Sequence, residues 1–156
     1  WKRADVRGGR ARQLLRPPGG AAPRAARLTA AAVIGSVLAG APGASIRRKA
    51  LGRLSRALPR AVGPDGGHAS RSPEAGLELL LDLLALEDGL GQLSEPLPDA
   101  AAAAIARLGA ALRIQTLPDG RLATLQGGGP STAAPLAAAR GTGAQPAARG
   151  RTVPPA

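Results

Sequence analysis

Between Leu77 and Leu86 seven of ten positions are leucine: 77, 79, 80, 81, 83, 84 and 86. Wound as a helix, these side chains cover most of the circumference and leave only the stripe Glu74–Glu78–Asp82 polar. A helix this apolar has to be buried on more than one side, so it demands partner helices earlier and later in the chain. Its start is well marked. Ser72 supplies an N-cap oxygen, Pro73 a preset first helical residue and Glu74 an acid for the positive end of the dipole. The pattern runs to about Asp88. Acids four residues apart repel mildly, and they read as a solvated stripe rather than a catalytic pair.

The partner helices can be placed from spacing. Arg24–Ala39 is alanine-rich and carries Leu28, Val33, Ile34, Val37 and Leu38, an apolar face at helical intervals that Gly40 and Pro42 bring to a stop. Ile46, Ala50, Leu54 and Leu58 then recur every four residues, with Arg48, Lys49, Arg53, Arg56 and Arg60 opposite them, giving an amphipathic helix with a basic face. Gly63-Pro64-Asp65-Gly66-Gly67 is a turn. Pro96, Pro98 and Asp99 open a further helix over Ala100–Leu112, with Ile105, Leu108 and Leu112 on one side. Arg113–Leu117 and Arg121–Leu125 flank Pro118-Asp119-Gly120 and predict a β-hairpin. The fold class expected is therefore mainly α, ending in a hairpin.

Composition limits what these elements can do. Much of the 44% apolar content is alanine; Leu, Ile and Val make up only 32 of 156 residues, and Trp1 is the one aromatic. That supply argues against a stable isolated fold. The net charge of +11 is unevenly laid out: residues 1–60 hold 14 basic side chains against Asp5, whereas residues 61–126 hold 4 basic and 9 acidic ones. A basic first third points to anionic partners, and the preponderance of Arg over Lys also fits a GC-rich coding sequence. No aromatic platform is interleaved with the basic residues, which excludes a stacking site for single strands, and no motif for specific nucleic-acid reading is present. There is no cysteine and a single histidine, so neither a disulfide nor a metal site is expected, and no cofactor is implied. The longest uncharged apolar run, Leu28–Gly40, is too short for a membrane span. The chain begins at Trp1 and ends on Pro154-Pro155-Ala156, which reads as a piece of a longer protein and leaves export undecided.

Several segments, in order, resemble the heparinase II/III-like family of polysaccharide lyases in its alphaproteobacterial form. Arg27-Leu28-Thr29-Ala30 through Gly40 is similar to an alanine-rich toroid helix of that family, Asp65-Gly66-Gly67-His68-Ala69-Ser70-Arg71-Ser72-Pro73 to its DGGH-x-S-R-N-P segment, and Leu80-Leu81-Asp82-Leu83-Leu84 to the LLDLL run that follows. Ala104–Leu108 resembles a later A-I-x-R-M helix, and Asp119–Gly127 the D-G-x-L-A-x-F-N-G hairpin. The resemblance covers roughly residues 24–128. Composition and pattern divide the chain into a basic Gly/Pro-rich lead-in over 1–20 with a short helix at Arg10–Arg16, a helical stretch over 21–112, a β-hairpin over 113–126 and a disordered Gly/Ala/Pro-rich tail over 127–156; the resemblance implies that the helical stretch is part of an α/α toroid. It further implies a downstream β-sandwich domain missing from this chain, a periplasmic or exported bacterial parent, an acidic polysaccharide as partner, and β-elimination on uronic-acid polymers as the chemistry.

The departures from that pattern fall on the chemistry. Where lyases of the wider group carry Glu, Tyr and His, this chain has Ser70, Ala75 and Gly76, and it contains neither Tyr nor Asn. Alanine and glycine offer nothing to titrate. The side chains left are His68, as a catalytic base or an orienting group, and Arg71, as a substrate-binding partner for a uronate carboxylate. The expectation is thus a fragment of a lyase, inactive alone; the alternative is a basic binding module for anionic polymers, nucleic acid or polysaccharide.

Overall fold

A computed structural model describes residues 20–125. Four helices follow one another: α1 (Ala21–Val37), α2 (Gly40–Ala61), α3 (Pro73–Gln92) and α4 (Asp99–Ile114). The principal contacts join α1 to α2 and α3, and α4 to α2 and α3, so the four helices close a ring around one core. The expected lead-in helix at Arg10–Arg16 and the expected disordered tail lie outside the described residues.

The core is made of leucine and alanine. Leu54, Leu58, Leu83, Leu86, Leu90 and Leu108 are almost wholly buried. Burial of a leucine stabilises a fold by about 1.5–3 kcal/mol relative to exposure. Helix α3 sits between α1 and α4, and that is why its leucines run round the helix: Leu77, Leu80 and Leu83 are buried while Leu81 and Leu84 pack at the edge of the same cluster. Its start is as the residues dictate, with the Ser72 hydroxyl accepting a hydrogen bond from the Ala75 amide at 3.3 Å. The Ile46, Ala50, Leu54 and Leu58 face of α2 is buried.

Helix α1 departs from the expectation. Its buried stripe is Ala25, Leu28, Thr29, Ala31, Ala32 and Gly35, whereas Val37 is 79% exposed. Small residues win because α2 comes so near that a β-carbon on Gly35 would lie 2.7 Å from the backbone nitrogen of Arg47. Larger side chains would hold the helices apart and forfeit that packing. Thr29, buried with them, gives its hydroxyl proton to the Ala25 carbonyl at 3.0 Å.

Two expectations about architecture are corrected. The helices close on one another and show no layered toroid. The hairpin expected over 113–126 does not form strands among the described residues: Arg113 and Ile114 complete α4, and the pairing there is one bridge, Thr116 to Leu122. The turn is there, closed by the Gly120 amide on the Leu117 carbonyl at 2.9 Å with Gly120 at φ 83°. Once the helix has taken the first two residues of the incoming arm, too few rungs are left to build a ladder, and a two-stranded hairpin is marginal even at full length.

Candidate functional site

The loop between α2 and α3 builds the most articulated surface feature. Val62 and His68 pair across it, the Gly63 amide bonds to the Gly67 carbonyl at 2.9 Å, and the Asp65 carboxylate accepts from the Gly67 amide at 3.0 Å. Gly66, at φ 76°, lies against α4 so closely that a methyl group there would collide with the Arg107 carbonyl oxygen. Only glycine meets both conditions, the left-handed backbone and the absence of a side chain. This contact seats the loop on α4 and encloses a pocket of about 380 Å³. Asp65, His68 and Arg71 form its polar wall, and Gly76, Leu108 and Leu112 its floor; Gln115 and Leu125 close the far side.

The structure therefore brings His68 and Arg71, the two site residues singled out from sequence, to one cavity. His68 is half-buried, and its Nδ1 lies 2.7 Å from the Ser70 hydroxyl and accepts from the Ser70 amide at 3.3 Å. An Nδ1 that accepts places the proton of the neutral ring on Nε2, leaving a donor for a ligand. Burial holds the imidazole below its ordinary pKa of 6.5, opposed by the nearby Glu78 carboxylate. Arg71 is exposed and stands 3.7 Å from the Asp65 carboxylate, a surface pair of little energetic weight that a stronger acceptor can displace. Its backbone is held at φ 60°. Asp82, on the polar stripe of α3, is raised above its ordinary value by partial burial and then by Glu78. Among the described residues no group of three or more His, Cys, Asp or Glu could hold a metal ion, and no helix is long and apolar enough to cross a membrane.

Sequence reasoning missed the other residues that shape the pocket. Ser70, whose hydroxyl and amide both meet the histidine ring, shows in the sequence only as a departure from a lyase motif. Gln115 and Leu125 fall, by sequence pattern, in the two arms of the expected hairpin. The Asp-Gly-Gly run carried the signal for the turn, but not for its seat on α4, which depends on a close approach between segments forty residues apart.

No described protein family matches the chain by sequence profile, and no solved structure matches it. The chain is 50% identical over 113 residues to the FtsZ-localized protein C of Caulobacter vibrioides (strain NA1000 / CB15N). The matched stretch is 72% of this chain and 20% of that protein, so the chain spans about a fifth of the relative's length. This overturns the heparinase II/III-like resemblance and what came with it: the lyase function, the acidic polysaccharide partner, and the periplasmic or exported location. The alternative of a basic module for anionic polymers gains no support either. The motifs misled because each is a short string of Gly, Ala and Leu around a turn or helix cap, and any leucine-rich helix entered from a glycine turn repeats much of it.

Proposed function

We propose that this chain is a helical docking unit of a protein that shares its location with FtsZ, and that the loop pocket is where it meets FtsZ. The observation that carries the reading is the 50% identity to a relative named for its localisation with FtsZ. The pocket chemistry supports binding. His68 offers an Nε2 donor and Arg71 a planar fork of donors, set over an apolar floor of Leu108 and Leu112. That combination suits a protein segment presenting a carboxylate beside an apolar side chain.

The test is imaging of this chain fused to a fluorescent protein, in bacterial cells whose FtsZ carries a second label. Coincidence of the two signals, reduced in the His68→Ala, Arg71→Ala double variant, is the expected result. A uniform distribution of the unmodified chain would reject the reading.

A further inference from the structure

A second pocket lies at the opposite end of the α1–α2 pair from their connection, and among the described residues it shares none with the loop site. It measures about 450 Å³, opens to solvent, and is lined by Gly20, Ala21, Arg24, Arg53, Arg56, Ala57 and Arg60. Three of its arginines stand at positions 53, 56 and 60 of α2, one face of the helix by the three-and-four rule, and Arg24 faces them from α1. Ala57, only 6% exposed, forms the floor between them. Among the described residues no carboxylate forms an ion pair with Arg24, Arg56 or Arg60. The nineteen residues before Gly20 carry six basic side chains and one acid, Asp5, so by composition they add positive charge to this end of the chain. Like charges so spaced repel, and no ion pair to a described carboxylate offsets that repulsion at Arg24, Arg56 and Arg60.

We infer that this arginine-lined pocket between α1 and α2 is a binding site for a small oligophosphate of the pyrophosphate class. Guanidinium forks pair two-pronged with phosphate oxygens, and cations on two facing walls select a ligand with anionic oxygens on both sides. A concave, bounded site distinguishes this ligand from a polymer, which would need a continuous track. The first turn of α1, where Gly20 and Ala21 line the pocket, carries no side-chain cap and no acid, so no carboxylate of that turn competes for the arginines.

The experiment is a calorimetric titration of the full chain with pyrophosphate at low salt, repeated with citrate and with vesicles of phosphatidylglycerol. Saturable binding of pyrophosphate, weakening as salt rises, is expected. Arg56→Gln with Arg60→Gln should lower the affinity about tenfold or more, and Arg24→Gln alone, from the other helix, by about threefold or more. Arg48→Gln with Lys49→Gln removes the same charge from exposed positions of α2 outside the pocket, and should change the affinity by less than about twofold. Circular dichroism confirms that each variant is folded; the Arg24 substitution decides the matter if the double variant is not. Absence of saturable binding, an equal loss in the control variant, equal affinity for citrate, or binding to vesicles alone would each overturn the assignment.

Discussion

Arg71 pays a backbone penalty to stand where it does. A non-glycine residue at φ 60° is disfavoured by about 1–2 kcal/mol, because its β-carbon crowds the following carbonyl. Nothing in the loop's hydrogen bonding requires an arginine there: the Arg71 amide bonds to the His68 carbonyl at 2.8 Å, and any residue with an N–H can do the same. Glycine would relieve the strain, offset in part by its greater freedom in the unfolded chain. Arg71→Gly is therefore expected to stabilise the protein by up to about 1 kcal/mol in denaturant unfolding while weakening partner binding; a variant that is destabilised would show that the guanidinium holds the loop together. His68 makes a prediction about pH. Burial lowers its folded pKa beneath 6.5, so the unfolded chain takes up the proton first as pH falls. The stability His68 contributes is complete above 6.5 and is lost as pH drops from there toward the folded value. His68→Gln should flatten the fall in melting temperature over that interval, and an unchanged profile would remove burial of the neutral ring as its cause.

At the level of elements, the Arg47 side chain ties the segment joining α3 to α4 to the α1–α2 pair. Arg47 gives Nε to a Glu95 carboxylate oxygen at 2.9 Å, a second donor to the other oxygen, and Nη1 to the Gly35 carbonyl at 3.0 Å. The hydrogen bond from Arg47 holds the Glu95 carboxyl below its ordinary value of 4.5, with the Arg47 charge acting in the same sense. Its contribution is present in full above that value and disappears as pH falls through the folded one. Melting curves of Glu95→Gln and the parent should thus converge at acid pH and separate near neutrality, the parent melting higher; parallel curves would mean that the carboxylate charge is immaterial. This clamp was not visible in the sequence, where Arg47 reads as one more residue of a basic helix and Glu95 as a loop acid. The helices themselves were: Ser72-Pro73-Glu74 states its cap locally, and Ile46, Ala50, Leu54 and Leu58 state their face by period. What local pattern leaves out is proximity. The close seat of Gly35 on α2 turned the buried side of α1 from valine to alanine, and the last turn of α4 took residues that alternate well enough to pass for a strand. The site divides the same way. His68 and Arg71 stood out by chemistry, but the leucines beneath them and the glycine that seats the loop have meaning only once α4 is beside it.

For the whole molecule, the core among the described residues depends on a few leucines, with no aromatic ring among those residues. Leu83 and Leu86 are fully buried on α3, between α1 and α4. Truncating either to alanine should cost about 2–5 kcal/mol in urea unfolding, a large part of the stability of a domain this size. A cost under about 1 kcal/mol would mean that α3 is not the centre of the core. Charge is distributed over the same framework in two places: the loop pocket sets a histidine and an arginine over an apolar floor, and the far end of α1 and α2 gathers four arginines around a cavity. Among the described residues the two sites share none, so a partner at one and an anion at the other can be separated by where the amides respond. The most direct measurement is to add FtsZ to the isotopically labelled chain and follow its backbone resonances. The account predicts changes gathered at Gly66, Gly67, His68, Arg71 and Gln115, and none at Arg24, Arg56 and Arg60. Resonances that do not move, or that move only around the arginine pocket, would contradict it.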